Sequence, residues 1–392
     1  MKKGILFFFL TVFFSCAEAS KFSLDTSNPL AILGQFGWSY LGLVPASPTA
    51  RFVAVGEACS SWLSQDAITW TYSKTRFPGC IDGAIQDVAY DGIGTWTAVG
   101  SKDANGSCGL WYSTDEGETW AQANCDPLVL WSGAPVTKQL FAVTYGGGKF
   151  WAVGPHNGAS TSDEFFGQYS SDGISWTSIA IEDGSTYEGA DYYDSASFDS
   201  VNSKIYFGGQ HQVNSEVAEL NSSTLASSSV SISMPSYINR VLALRSGQLL
   251  VYGSDNYLAP TIGKVKMGSS LASLSGVMDT AVTSDIQSAI EGSDKIVIFG
   301  DQCAIDYYEF SAAVWHPTGA SPPPEMSNCS RLNWMSSAYN SALGLFVAGA
   351  KVTGSVPTAF AYSATGIPSD WTVLTQPDAG SPGPGILGIA TH

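Results

Sequence analysis

The sequence predicts an all-β protein, a seven-bladed β-propeller of four-stranded antiparallel blades, on three observations. An apolar strand ending in Gly recurs seven times: FVAVG to Gly56, WTAVG to Gly100, FWAVG to Gly154, IYFGG to Gly209, LLVYG to Gly253, IVIFG to Gly300 and LFVAG to Gly349. The intervals are 44, 54, 55, 44, 47 and 49 residues, and a period near fifty with several short strands per unit is the spacing of propeller blades. The composition agrees: 41 Gly, 12 Trp and 17 Tyr in 392 residues with only 13% charged, well below the quarter or so usual in soluble domains.

Before the repeats comes a targeting segment. Lys2 and Lys3 precede an apolar run from Ile5 to Phe14, too short to span a bilayer. Two processing routes fit. Ala17-Glu18-Ala19 is a cleavage site that makes 1–19 a signal peptide and leaves 20–392 as the propeller. Alternatively, the leader ends before Cys16, which then carries a lipid. The chain is thus expected to be secreted, or held at the cell surface or in the periplasm, touching membrane only through that lipid. Its formal charge of −17 repels phosphate backbones, so nucleic acid is not an expected partner.

Each Gly-ended strand, called B, follows an apolar run, strand A, across a hairpin turn such as Asp91-Gly92, Gly146-Gly147 or Ser246-Gly247, where Gly accepts positive φ. Aligned on the turn, Ala89, Thr144, Ser197, Ala243, Ala289 and Ala338 form a column of small residues, as crowding of the innermost strands around an axis requires. The seventh A strand is supplied by the C-terminus, GILGIATH, with Ala390 in the same column, pairing with the strand ending at Gly56. This closure removes the open sheet edge; Phe36 to Val44 is the rival for that place.

After B come strand C, a turn and strand D. The turn reads SQDAITW (Ser64 to Trp70), STDEGETW (Ser113 to Trp120), SSDGISW (Ser170 to Trp176) and, more loosely, SATGIPSDW (Ser363 to Trp371). The Asp accepts backbone N–H bonds, the Gly takes the strained backbone, and the Trp covers the turn. Ser113-x-Asp115-x-Gly117-x-Thr119-Trp120 resembles the Asp-box, or bacterial neuraminidase repeat, of sialidase-like propellers. The resemblance implies the propeller fold over about residues 36 to 392 and a turn on the face opposite a family member's active site. It implies little about activity.

Cys59, Cys108 and Cys303 each follow a B strand; Cys80, Cys125 and Cys329 each follow strand D of the same blade. B and D end on one face of an up-and-down blade, which selects the disulfides Cys59–Cys80, Cys108–Cys125 and Cys303–Cys329 and an oxidising compartment.

That same face carries the long B–C and D–A loops and is the expected binding face. Two residues beyond each B-strand Gly stand Ala58, Lys102, His156, His211, Asp255, Gln302 and Lys351, a column that is polar in all but the first blade. Two acidic-aromatic patches are placed in the same loops: Tyr187 to Asp194, including Asp191 and Tyr192, and Asp301 with Asp306, Tyr307, Tyr308 and Glu309. Tyr beside carboxylate suits sugar rings and protein interfaces alike. A sialidase needs a cluster of arginines. Of the five present, Arg51 and Arg245 fall at A–B turns while Arg240 and Arg331 fall near A-strand starts. No metal spacing, nucleotide fingerprint, phosphate loop or Ser-His-Asp arrangement is visible, so no cofactor and no metal site is expected. The function expected is a binding scaffold for a protein or carbohydrate ligand. The competing expectation is a carbohydrate-active enzyme with paired carboxylates on the same fold.

Overall fold

The computed structural model of the chain describes residues 51–392 apart from 81–82, 102–108, 127–138, 155–163, 183–191, 212–213, 233–237, 255–261, 281, 283–284, 317–331, 353–354 and 381. The leader, Cys16 and the rival strand at 36–44 lie outside the described residues, as do Lys102, Cys108, His156, Asp191, Asp255 and Cys329.

Seven antiparallel sheets follow one another along the chain, and the repeat is a propeller blade. The inner A strands of blades two to seven are Ile85–Tyr90, Ala142–Gly146, Tyr192–Asp199, Ile238–Ala243, Ile286–Glu291 and Leu332–Asn340. Blade one takes its A strand, Ile386–Thr391, from the C-terminus. It pairs with Phe52–Gly56 through Phe52↔Thr391, Val53↔Ala390 and Ala54↔Ile389. Further bonds pin the seam: Asn340 Nδ2 donates to Thr391 Oγ1 at 2.6 Å and to the His392 carbonyl at 2.7 Å. At the other end of the strand the Gly385 N–H donates to Glu57 Oε2 at 3.0 Å. One sheet exceeds four strands. The chain leaving blade two lays Asn124–Cys125 parallel to Ser175–Glu182, the outer strand of blade three, and so ties those blades together.

The strands are buried on both faces because each blade is sandwiched between two others. Among the described residues the core divides into seven apolar clusters, one between each pair of adjacent blades. At the closing interface Trp70 of blade one stacks on Phe360 of blade seven, with centroids 3.8 Å apart and planes within 8°. Rings of this size bury more apolar area than any other side chain, which explains the Trp content.

The four turns share one geometry. Ser64, Ser113, Ser170 and Ser363 each accept, through Oγ, the N–H of Ala67, Gly117, Gly173 or Gly366 at 2.9 Å. Those acceptor-bound residues all have positive φ, 64° to 78°. Asp66, Asp115 and Asp172 accept backbone N–H groups across the turn, and these bonds hold their carboxyls below the ordinary value against a burial effect that pushes the other way. The indoles of Trp70, Trp120 and Trp176 donate to the carbonyls of Ala67, Gly117 and Gly173. A Cβ on Gly117 would lie 3.1 Å from Val53 of blade one, so the turn doubles as an inter-blade contact.

The column of small inner-strand residues holds in five blades and fails in two. Ala89, Thr144, Ser197 and Ala390 pair with the second residue of their Gly-ended run, and Ala338 pairs with the third, Val347, in a blade whose register runs one residue later. In blades five and six that place is taken by Leu242, opposite Leu250, and Ile290, opposite Val297. Ala243 and Ala289 are displaced by one residue because the hairpin turns there differ in length, which a register counted from the turn residues does not detect.

Cys59 and Cys80 form a disulfide with Cα atoms 5.9 Å apart. Cys125 and Cys303 are also disulfide-bonded, with partners beyond the described residues.

Candidate functional site: the mouth of the central channel

The inner strands share a defect near their N-terminal ends. In blades one, two, four, five, six and seven the A–B register slips by one residue. The residues skipped are Leu387, Gln86, Asp194, Asn239, Gln287 and Met335. A bulge leaves its extra residue unpaired and re-aims its side chain. Here Gln86, Asp194, Gln287, Met335 and Leu387 all line a cavity of about 510 Å³ on the axis, to which all seven inner strands contribute. Phe141 lines it from blade three. The bulges lie at the end of the inner strands next to the B–C loops. The cavity therefore reaches the end of the inner strands that adjoins the B–C loops.

In blades two, four, six and seven the residue after the bulge latches one blade to the next. Asp87 Oδ2 accepts the N–H of Val143 at 2.9 Å, Ser195 Oγ that of Val241 at 3.1 Å, and Ser336 Oγ that of Ile389 at 2.8 Å. Ser288 Oγ meets Ser337 Oγ at 2.7 Å in the same relation. The inner edge of the ring would otherwise expose backbone donors to the channel, and these side chains satisfy them. In blade one the equivalent position is Gly388, where a Cβ would lie 2.6 Å from the Asp87 Cα.

One side of the mouth is charged. Arg240 Nε stands 3.7 Å from Asp194 Oδ2. Burial pushes the Asp194 carboxyl up to about 6, with the Arg240 guanidinium pulling against it. Burial pushes Asp87 up to about 7, opposed by the N–H groups of Val143 and Val88 and by Arg240. Asp301 rises to about 6, from burial and then from the neighbouring Asp285 carboxylate, opposed by Arg240 and a hydrogen bond from Gln287. Tyr252 lines the same wall; burial raises its phenol to about 12, and its oxygen accepts the Ala289 N–H. The Oδ1 atoms of Asp194 and Asp285 are buried and, among the described residues, meet no hydrogen-bond donor. The other side of the mouth, with Met335 and Leu387, is apolar. Among the described residues no three His, Cys, Asp or Glu side chains converge as a metal-binding group.

Of the candidate binding residues singled out in the sequence, the described ones other than Asp194 lie outside the cavity lining. Lys351 lies within the B strand Leu345–Val352, opposite Asn333, and pairs with Glu57 at 3.3 Å. Blade seven matches its Gly-ended strand one residue late, with Ala350 opposite Trp334, so Lys351 is out of line with the proposed column. His211 ends the B strand of blade four, Gln302 sits in the 3-10 turn Asp301–Cys303, and Tyr192 opens the inner strand of blade four. Asp306 and Tyr307 are on strand C, Ile305–Glu309, rather than in a loop. Asp306 is fully buried, and Tyr307 stacks on His316 at 4.7 Å. Of the described residues of the acidic-aromatic patches, Asp194 lines the cavity. Sequence reasoning missed Asp87, Gln287 and Tyr252, and placed Arg240 only near a strand start. A bulge carries no pattern of its own, but the polar residues interrupting A strands at Gln86-Asp87, Asp194-Ser195 and Gln287-Ser288 were the available signal.

No family model and no curated protein matches the chain. Similarity lies at the level of the fold. A solved structure described as YCF48 bound to D1 peptide superposes with a TM-score of 0.52 at 12% identity, covering 78% of this chain and 92% of that one. YCF48 from Cyanidioschyzon merolae gives 0.52 and 12%, covering 79% and 91%. At such identity the likeness concerns architecture alone.

Proposed function

We propose that the chain is a secreted or surface-anchored, non-enzymatic scaffold that binds a segment of another protein at the loop-face mouth of its channel. The observation that carries this reading is the ring of bulged residues. Strand pairing is given up at the same place in six blades, and the freed side chains are turned into one cavity of about 510 Å³. Regular ladders would be more stable there, so the bulges mark a surface shaped for contact. That one propeller of similar architecture is described with a bound peptide supports the class of partner. The Ser-Asp-Gly-Trp turns support kinship with Asp-box propellers, whose turns serve architecture. The leader and Cys16 support export, with a lipid anchor as one form of it.

The second reading, a carbohydrate-active enzyme, is favoured by the raised carboxyls of Asp87, Asp194 and Asp301, since acid catalysis needs such groups. Both are tested together. A peptide library panned against the purified chain should yield binders that compete with one another and are lost when Gln86→Trp or Met335→Trp fills the mouth. A glycan panel should show no turnover; cleavage abolished by Asp194→Asn would replace the scaffold by an enzyme. Palmitate incorporation lost in Cys16→Ala would establish the anchored form.

A further inference from the structure

We propose that Asn221, in the C–D turn of blade four, is a modification site that carries an N-linked oligosaccharide. The proposal rests on the reading that the chain is exported, and adds a modification that a secretory compartment supplies.

Asn221-Ser222-Ser223 has the Asn-x-Ser spacing of a glycan acceptor. Two other stretches share it, Asn105-Gly106-Ser107 and Asn328-Cys329-Ser330, and both lie outside the described residues. Asn221 ends strand C of blade four, Asn214–Asn221, and strand D follows as Ser227–Ile232. Its Oδ1 accepts the N–H groups of Ser223 at 3.0 Å and Thr224 at 2.9 Å. Asp66 and Asp172 hold their own turns through the same two bonds, to the residues two and three further on. A carboxylate offers only oxygens for this task, whereas an amide performs it with one oxygen and has a nitrogen to spare. Among the described residues Asn221 Nδ2 makes no hydrogen bond, and it is not a buried atom. Ser223, the hydroxyl residue of the acceptor, is exposed. A sugar on Nδ2 leaves Oδ1 and both turn bonds in place, so the folded blade carries it without losing its cap.

The strand beside the turn gives the glycan a task. Ser227–Ile232 is the outermost strand of blade four, six residues with neither charge nor Pro, and among the described residues no strand pairs with its outer edge. The other blades guard that edge. Blades one, two, five and six end in outer strands of two or three residues. Asn124–Cys125 covers the long one of blade three, and that of blade seven runs into Pro377. An open, uncharged edge invites pairing with other chains, and a hydrated oligosaccharide at the turn that leads into it keeps them away. In the transfer the anomeric carbon–oxygen bond of a polyprenyl-diphosphate-linked oligosaccharide breaks and a bond from that carbon to Nδ2 forms. The bonding pair leaves with the diphosphate, which also takes up the proton lost from Nδ2.

The test expresses the full chain, leader included, in an insect-cell secretory line and collects it from the medium. Peptide N-glycosidase acting in oxygen-18 water converts each glycosylated Asn into a labelled Asp, which mass spectrometry of the peptides then locates. The label should appear at position 221, and the native protein should gain mobility on treatment. Ser223→Ala destroys the acceptor and keeps Asn221, while Asn221→Asp destroys it and keeps an oxygen for both turn bonds. Each variant should be secreted without the label at 221. Secreted native protein with position 221 unlabelled, whether or not positions 105 and 328 are labelled, overturns the inference and leaves export in place. Native chain that stays in the cell and carries no label overturns the inference and the export reading together. Should one variant fail to fold, the other and the labelling of the native chain decide.

Discussion

The carboxylate of Asp87 in blade two accepts the backbone N–H of Val143 in blade three, with Oδ2 and N 2.9 Å apart. The bond is one of a set in which a side chain on one inner strand caps the free edge of the next, with Ser195 and Ser336 doing the same toward Val241 and Ile389. Blade-to-blade cohesion at the axis therefore depends on polar side chains, while cohesion further out depends on the apolar clusters.

Replacement of Asp87 separates its two effects. Asp87→Ala leaves the Val143 N–H buried without an acceptor and should cost about 1–3 kcal/mol. Asp87→Asn keeps an acceptor oxygen and removes the charge. The native carboxyl binds its proton with a pKa of about 7, against 3.8 as the ordinary value. Between those limits the folded state holds a proton that the unfolded chain releases, so stability falls as pH rises from about 4 to 7. Asp194 and Asp301, each at about 6, act in the same direction. The turn carboxylates Asp66, Asp115 and Asp172 are lowered instead, and their contribution is lost as pH falls through their folded pKa values. Thermal melts should thus show a stability maximum well on the acid side of neutrality, near about pH 4. In Asp87→Asn the decline from pH 5 to 8 should be smaller.

Gly388→Ala should be among the most damaging conservative changes in the chain. The new Cβ would lie 2.6 Å from the Asp87 Cα, and backbone cannot rotate away as a side chain can. Overpacking costs about 1–3 kcal/mol, and the upper end is expected. Urea titration would show it as a lower midpoint with an unchanged slope.

Removal of Gly385 to His392 should abolish cooperative unfolding of the ring. It takes away Ile386, fully buried, and Ile389, 6% exposed, at roughly 2–5 kcal/mol for each large core side chain. It also uncovers an unpaired edge along Phe52–Gly56. Calorimetry should show a broadened transition at much lower temperature; a sharp transition at the native Tm would refute the closure as a source of stability.

The Cys59–Cys80 bond closes a loop with a sequence separation of 21. A paired Cys59→Ala, Cys80→Ala variant should lose about 3 kcal/mol, chiefly through a freer unfolded chain. Its equilibrium stability under reducing conditions should match that of the native chain more closely than under oxidising ones.

The periodic strands, the Ser-Asp-Gly-Trp turns and the small residues near the hairpins determined the blade count, the C-terminal closure and the Cys59–Cys80 pairing. These are local features repeated with one spacing, and a strand that must bury both faces shows itself as an unbroken apolar run. The tertiary structure alone decided which side chains meet at the axis. Asp194 reaches Arg240, and Gln287 reaches Asp301, because a one-residue slip re-aims a side chain at the loop end of their inner strands. Such a slip leaves composition and period untouched, so Asp306 and Tyr307, equally polar and aromatic in the sequence, came to rest in an outer strand while Asp87 entered the channel.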